Sequence, residues 1–173
     1  MQWRTTASMR RISLCCLGLL LAGGVQAQLT SPDPDWREVA PAPPPLRTEG
    51  LIRIDLPLSN LRFGVDPASV SLGSDGVVRY VVVATSNTGA VNAFYEGIRC
   101  STAEVRLYAR HNPDSGWVLL NDSEWRSLYQ SLPSRHSLVL ARTGVCAGGA
   151  PNSSTSQIVR DLGGSVNWRF WNN

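Results

Sequence analysis

The chain contains no lysine, so its positive charge comes from arginine alone. Its 16 arginines and 13 acidic residues give a formal net charge of +3. Three of the arginines lie within the first 27 residues, where no acidic residue occurs, and thirteen residues of each sign remain in the rest of the chain. A nucleic-acid partner normally requires an excess of positive charge on one face. The composition therefore does not predict nucleic-acid binding.

Motifs for nucleotide and nucleophile chemistry are also missing. The sequence has no P-loop and no Gly-x-Gly-x-x-Gly motif after a strand, so we expect no nucleotide cofactor. It has no Gly-x-Ser-x-Gly elbow, which leaves a Ser-His-Asp triad open but unsupported. The only histidines, His111 and His136, lack acidic or thiol neighbours at metal-ligand spacing. We predict that both are exposed and that the chain holds no metal ion.

Several carboxylates on or near predicted strands leave one catalytic alternative open. A pair of carboxylates can hydrolyse a glycosidic bond. Solvated surface explains the same residues equally well. The candidates are Asp55, Asp66, Asp75, Glu96 and Glu104.

The first 27 residues have the pattern of an export signal. Arginines precede an apolar run over residues 12–21, and residues 25–27 (Val-Gln-Ala) form a small-x-small cleavage pattern. We predict cleavage after Ala27 and a periplasmic mature protein that begins at Gln28. The apolar run is much shorter than the ~20 residues of a transmembrane helix. A lipoprotein signal would carry cysteine at the position of Gly24, so the sequence does not predict a lipid anchor.

Two of the four cysteines, Cys15 and Cys16, belong to the predicted signal peptide. Cys100 and Cys146 remain in the mature chain, where an oxidising compartment favours a disulfide. We predict a Cys100–Cys146 bond, which would stabilise the fold by about 4 kcal/mol on the chain-entropy model.

The mature chain divides into three predicted regions. Residues 28–49 are rich in proline and predict a linker, with Trp36 as the residue that can dock on the domain. Residues 50–165 predict a single domain. Residues 166–173 form an aromatic tail, either an interface or stacking site or a last strand packed on the core. The aromatic residues of this tail are Trp168, Phe170 and Trp171.

The strongest predicted strand covers residues 77–85, a nearly continuous β-branched run that is typical of a central strand buried on both faces. A turn at residues 86–89 connects it to a strand over residues 90–100. Alternating or β-branched runs predict further strands. They cover residues 51–56, 62–65, 70–72, 104–110 and 117–120.

A symmetric turn at residues 86–89 predicts which side chains face each other across this hairpin. Arg79 would face Glu96, and Tyr80 would face Tyr95. Both pairs stabilise an antiparallel ladder. A shift by one residue would place Tyr80 opposite Glu96 instead. We therefore predict a structural Arg79–Glu96 ion pair.

After residue 120 the spacing of the apolar residues changes from that of a strand to that of a helix. Apolar residues at 125, 128, 129 and 132 share one helical face, with a capping-box-like start at Asn121 and a stop at Pro133. This predicts a principal helix over residues 122–132. Residues 137–146 fit a helix or a strand, and residues 156–162 fit a short helix. The predicted fold is α+β, a mainly antiparallel sheet of five to six strands with one principal helix packed on it.

Several stretches together resemble a known family. They are Trp36-Arg37-Glu38, residues 74–80 (SDGVVRY), residues 95–100 (YEGIRC), Trp117 and Trp125. Their order and spacing, from about residue 36 to about residue 146, resemble the cryptic neisserial protein (CNP)-like family. The resemblance implies a small exported bacterial protein of periplasmic location, with no catalytic residues to carry over. Its members are often regarded as lipoproteins, a pattern from which this chain departs at Gly24.

Two functions remain open at this point. The first is a non-catalytic, envelope-associated binding or structural module whose partner is an envelope protein or a cell-wall component. The second is a small periplasmic hydrolase that uses carboxylates near the central hairpin. A concave site with converging polar groups would favour an enzyme. An exposed aromatic patch would favour a binding module.

Overall fold

The computed structural model describes residues 34–56 and 59–164, which lie within one compact unit, Pro32–Asn173. The predicted signal peptide and the aromatic residues Trp168, Phe170 and Trp171 lie outside the described residues. Within these ranges, no helix is both long enough and apolar enough to cross a membrane.

An antiparallel sheet of eight strands forms the centre of the fold. The strands are β1 Ile52–Ile54, β2 Leu61–Val65, β3 Ser71–Leu72, β4 Val77–Ser86, β5 Val91–Arg99, β6 Glu104–Asn112, β7 Gly116–Leu119 and β8 Arg126–Ser127. Six strands follow one another in the order β1-β2-β4-β5-β6-β7, while β3 pairs with β4 and β8 pairs with β6. The number of strands exceeds the predicted five to six. β3 falls within the predicted run 70–72, whereas β8 lies in the segment predicted as a helix.

The central position of β4 is confirmed. Its first eight residues are all buried, since the strand is covered on both faces of the sheet. Side chains alternate between the faces. Tyr80 and Val82 pack with the helices on one face, here called the helix face. Val81 and Val83 point to the opposite face and pack with Tyr95.

The predicted register of the β4–β5 hairpin is wrong by one residue. Tyr80 pairs with Glu96, and Arg79 pairs with Gly97. The turn explains the shift, because Ser86 N–H donates to Ala90 C=O and leaves a three-residue loop over residues 87–89. Gly89 has a left-handed φ of 87°, which is typical of such a loop. A symmetric four-residue loop would have given the predicted pairing.

The predicted helix over residues 122–132 is not formed. This segment contains β8 instead, which pairs with Glu104 and Val105 of β6. Leu128 N–H donates to Ala103 C=O at 2.9 Å. Leu128 packs in the core of the helix face, whereas Tyr129 is 61 % exposed. The helical spacing of the apolar residues gave a wrong prediction, because these residues do not share a single buried surface.

The helices lie further along the chain and are short. Helix α1, His136–Leu140, continues into a π-type turn over Ala141–Val145, so the ambiguous region 137–146 is largely helical. Helix α2, Thr155–Gly163, confirms the expected short helix, and Ser154 caps it by accepting from Gln157 N–H. A small hairpin, β9 Cys146–Ala147 with β10 Ala150–Pro151, connects them. The predicted Cys100–Cys146 disulfide is present and ties the end of β5 to this hairpin.

Residues 36–47, here called the N-terminal strap, lie against the opposite face of the sheet. Trp117 Nε1–H donates to Pro44 C=O at 2.8 Å. Leu46 packs beside Val81 and Val83. These contacts lie within the proline-rich region 28–49, and they cover a face of β4 that no helix covers among the described residues.

Candidate functional site

A buried polar cluster lies on the helix face between β5 and α1. Glu96 and His136 are 6 % and 7 % exposed. His136 Nε2 lies 2.9 and 3.0 Å from the two carboxylate oxygens of Glu96. Tyr80 O–H and Ser137 O–H donate to the same carboxylate at 3.1 and 3.2 Å. The β4–β5 register and the start of α1 together assemble this cluster.

The pKa values of this pair shift in opposite directions. Burial would raise the pKa of Glu96. The charge of His136 and the hydrogen bonds that the Glu96 carboxylate accepts outweigh burial, so the pKa of Glu96 is lowered. Burial would lower the pKa of His136, but the charge and hydrogen bond of Glu96 raise it. The cluster therefore favours an imidazolium facing a carboxylate. Burial and the neighbouring charge of Glu96 raise the pKa of Tyr80 well above its usual value, so it remains a donor.

Ser134 extends the cluster from the other side of the imidazole. Its Oγ lies 2.9 Å from His136 Nδ1, and it accepts from His136 N–H at 3.4 Å. Phe63 stacks on the imidazole with a centroid distance of 5.1 Å. The Ser134 hydroxyl, the His136 imidazole and the Glu96 carboxylate thus follow the order of a catalytic Ser-His-acid triad. An imidazolium, however, donates from Nδ1 and does not take the hydroxyl proton.

A pocket of about 390 Å³ opens beside this cluster, here called the inner pocket. It lies on the helix face of β2, β4, β5 and β6, between residues 120–126 and residues 132–137. Glu96 and His136 form part of its wall. The charged residues that line it besides this pair are Arg110, Glu124 and Arg126. Its large apolar residues are Leu61, Phe63, Phe94, Leu107, Leu120 and Leu132.

A second pocket of about 690 Å³, here called the outer pocket, adjoins the first. Arg135 and Arg142 line it, and its described lining contains no acidic residue. Arg142 lies over the ring of Tyr129 at 5.9 Å. The pockets are adjacent because they share five lining residues. These are Leu61, Phe63, Leu132, Pro133 and Ser134.

A separate ionic network occupies the opposite face under the N-terminal strap. Arg79, only 1 % exposed, lies 2.6 Å from Asp75 and 3.8 Å from Glu38. Glu38 also accepts hydrogen bonds from Arg106 and Tyr108. Burial would raise the pKa of Asp75, but the hydrogen bonds from Arg79 and from backbone N–H groups lower it. Burial and Glu38 raise the pKa of Tyr108 far above its usual range.

Beside this network, two indole rings enclose one arginine. The guanidinium of Arg99 lies 4.4 Å from the ring of Trp36 and 5.0 Å from that of Trp125. Trp36 Nε1–H donates to Asp75 C=O at 2.8 Å. Arg99 also forms an ion pair with Glu104. The arrangement fastens the strap to the sheet through cation–π contacts.

The model of one protein family matches residues 31–163, most of the chain. The chain belongs to the CNP1-like family. The match includes the N-terminal strap, both pockets and the disulfide. No curated protein and no solved structure matches the chain.

In this CNP1-like protein, the predicted Arg79–Glu96 ion pair is replaced by two separate pairs. Arg79 and Glu96 lie on opposite faces of the sheet, since β4 and β5 side chains alternate and the register differs by one residue. Asp75 lies four residues before Arg79, and this local spacing was available in the sequence. His136 lies 40 residues after Glu96, and no local pattern indicates that contact.

The two histidines differ from their predicted exposure. His136 is buried, and His111 is partly buried with its ring 5.2 Å from that of Trp117. Among the described residues, no group of three or more His, Cys, Asp and Glu side chains is placed to hold a metal ion.

The candidate carboxylates do not form a catalytic pair. Asp55 is exposed beside Arg53. Asp66 is buried and caps a 3-10 turn by accepting from Ala68 N–H. Glu104 pairs with an arginine, and Asp75 belongs to the network under the strap. Glu96 alone among the five lines the inner pocket.

Proposed function

We propose that this protein is an exported, periplasmic binding module that holds a small ligand in the inner pocket and does not catalyse a reaction. The inner pocket is the observation that carries this proposal. Its volume of about 390 Å³ falls within the range of about 300–1,000 Å³ that is typical of ligand sites. Large apolar side chains in the pocket, such as Phe94 and Leu107, remain half-buried. An apolar ligand that covered them would remove apolar surface from water, which is favourable.

The buried polar pair of the pocket, Glu96 and His136, supports binding more than catalysis. Glu96 accepts from three side chains, and His136 is engaged at both ring nitrogens. A general base requires a free acceptor that can reach the substrate proton. In the described residues, the buried side-chain atoms without a hydrogen-bond partner are Arg79 Nε and Trp125 Nε1, and neither residue lines the inner pocket.

The proposal is tested by purifying the protein from the periplasm and measuring bound small molecules by native mass spectrometry. Leu120 lines the inner pocket, whereas its neighbour Leu119 is 57 % exposed and does not line it. We expect Leu120→Arg to lose the bound ligand and Leu119→Arg to keep it. Equal ligand content in the two variants would contradict the proposal.

The periplasmic location has its own test. Cell fractionation should place the protein in the periplasm, and N-terminal sequencing should begin at Gln28. Detection of an acylated N-terminus or of residues before Gln28 would contradict this part of the proposal. Cross-linking in intact cells would then identify the proposed partner, an envelope protein or a cell-wall component.

The row Ser134–His136–Glu96 favours a second candidate, a small periplasmic hydrolase. In it, Glu96 would orient His136, which would activate Ser134 as a nucleophile. A fluorophosphonate probe labels activated serines covalently. Labelling that is lost in Ser134→Ala would establish this candidate, whereas we expect no labelling of the folded protein.

A further inference from the structure

We propose that the ligand is a single acyl chain with an anionic head group. The chain lies in the inner pocket, and the head group lies at Arg135 and Arg142 in the outer pocket. This inference rests on the proposed function, because it identifies the ligand class of the same site.

Charge complementarity indicates the head group. Arg135 and Arg142 line the outer pocket without an acidic residue beside them in its described lining. Neither arginine forms an ion pair within the described part of the chain, whereas Arg79, Arg99 and Arg106 all do. The outer pocket therefore concentrates unpaired positive charge, although the predicted mature chain is neutral. A carboxylate or phosphate would complement both guanidinium groups.

The walls of the inner pocket indicate the acyl chain. About half of its lining residues are apolar, and they come from β2, β4, β5, β6 and the segments on either side. A volume of about 390 Å³ is near the lower end of the usual range, which suits one chain and not a two-chain lipid. Glu96 and His136 are already hydrogen-bonded to protein side chains, so neither requires a polar group in the buried part of the ligand.

The position of the two pockets connects these features. Phe63, Leu132 and Ser134 belong to both linings, so the two pockets adjoin at these side chains, and the proposed ligand lies across them. An amphiphile with its charged end at Arg135 and Arg142 would place its chain among the apolar residues of the inner pocket.

The test uses the mature protein and myristate below its critical micelle concentration, with binding measured by calorimetry. Myristyl alcohol has the same chain and a neutral head group. We expect myristate to bind about tenfold more tightly than the alcohol, since each exposed charge pair contributes up to about fivefold. Shortening myristate to laurate should weaken binding by up to about fourfold per methylene.

Variants separate the head-group contacts from the pocket itself. The double variant Arg135→Gln/Arg142→Gln should bind myristate about tenfold less tightly and bind the alcohol unchanged. Arg160→Gln, an exposed arginine of α2 outside both pockets, is the matched control and should bind as the wild type does. Leu120→Arg should abolish binding of both ligands. If Leu120→Arg does not fold, Leu132→Arg on the opposite wall of the inner pocket tests the same expectation.

The outcomes distinguish the two proposals. Equal affinity for myristate and its alcohol, with both lost in Leu120→Arg, would overturn the anionic head group and leave the binding module intact. Failure of the wild type to bind any of these ligands would overturn the acyl chain. If the protein from the periplasm also carried no small molecule, the binding module itself would be overturned.

Discussion

At the scale of single residues, the buried Glu96–His136 pair makes stability depend on pH in two directions. Glu96 has a lowered pKa, so its contribution is present above the ordinary value of 4.5 and is lost as pH falls through the folded value. His136 has a raised pKa, so its contribution is present below 6.5 and is lost as pH rises through the folded value. Stability from this pair is therefore greatest between these two pH values.

Glu96→Gln should reverse the alkaline part of this dependence. Without the carboxylate, burial lowers the pKa of His136, so stability should increase from pH 6 to pH 8 where the wild type loses stability. At pH 6 we expect a loss of about 1.5–3 kcal/mol, because the charge-assisted hydrogen bond between the Glu96 carboxylate and His136 is lost. Urea unfolding across this range measures both effects, with the exposed Glu49→Gln as the control. Parallel pH profiles for wild type and variant would contradict the pairing.

Double-mutant cycles should separate the observed ion pairs from the predicted one. Arg79→Gln and Asp75→Asn remove the two partners of a direct contact, and their coupling energy should lie between about 0.5 and 3 kcal/mol. Arg79→Gln and Glu96→Gln affect opposite faces of the sheet, and their effects should add within about 0.5 kcal/mol. Chemical denaturation of the single and double variants provides both values. A larger coupling for Arg79 with Glu96 would contradict the register.

Gly97 permits a close approach on the same face as Arg79. A Cβ atom there would lie 2.8 Å from Val77 Cγ1 and 2.8 Å from Tyr108 Cε2. Gly97→Ala should therefore destabilise the fold by about 1–3 kcal/mol through overpacking. Gly149→Ala is the matched control, because nothing lies within 4 Å of the Cβ position. Thermal unfolding should show a lower Tm for Gly97→Ala alone, and equal Tm values would count against the close packing.

At the scale of elements, the N-terminal strap is attached to the sheet through side chains. Trp36→Ala removes the indole that stacks on Arg99 and donates to Asp75 C=O. We expect a loss of about 2–3 kcal/mol from apolar burial and the cation–π contact. Arg37→Ala should cost far less, since Arg37 is exposed and bonds to nearby backbone carbonyls. Urea unfolding compares the two, and similar stabilities would show that the Trp36 indole contributes nothing to the stability of the domain.

At the scale of the whole molecule, the disulfide spans 46 residues and encloses β6, β7, β8 and α1. Its loss should cost about 4 kcal/mol by loop-closure entropy, a large part of the 5–15 kcal/mol that is typical of domains. The variant Cys100→Ser/Cys146→Ser should show this loss in urea unfolding. A reductant should destabilise the wild type similarly and leave the variant unchanged. An unaffected wild type would show that the bond does not form in the folded protein.

Also at the scale of the whole molecule, local sequence patterns were sufficient to predict most strands of the sheet. The β-branched run over residues 77–85 predicted the central strand, because a continuous apolar segment must be covered on both sides. Turn residues delimited β5, β6 and β7 well, and the count of cysteines after the predicted signal left a single disulfide connectivity. The family resemblance also depended on local runs, and the match over residues 31–163 confirms it.

The tertiary structure alone decided the features that depend on distant partners. A three-residue loop in place of a four-residue loop moved Glu96 opposite Tyr80, and α1 then supplied His136 from 40 residues away. Residues 126 and 127 pair with β6, and Leu128 N–H donates to Ala103 C=O. This segment is therefore extended, although the spacing of its apolar residues favours a helix. The sequence determined which segments are apolar and extended, because that property is local. Register, ion-pair partners and the two pockets arise from contacts between segments, and a local pattern carries no information about those contacts.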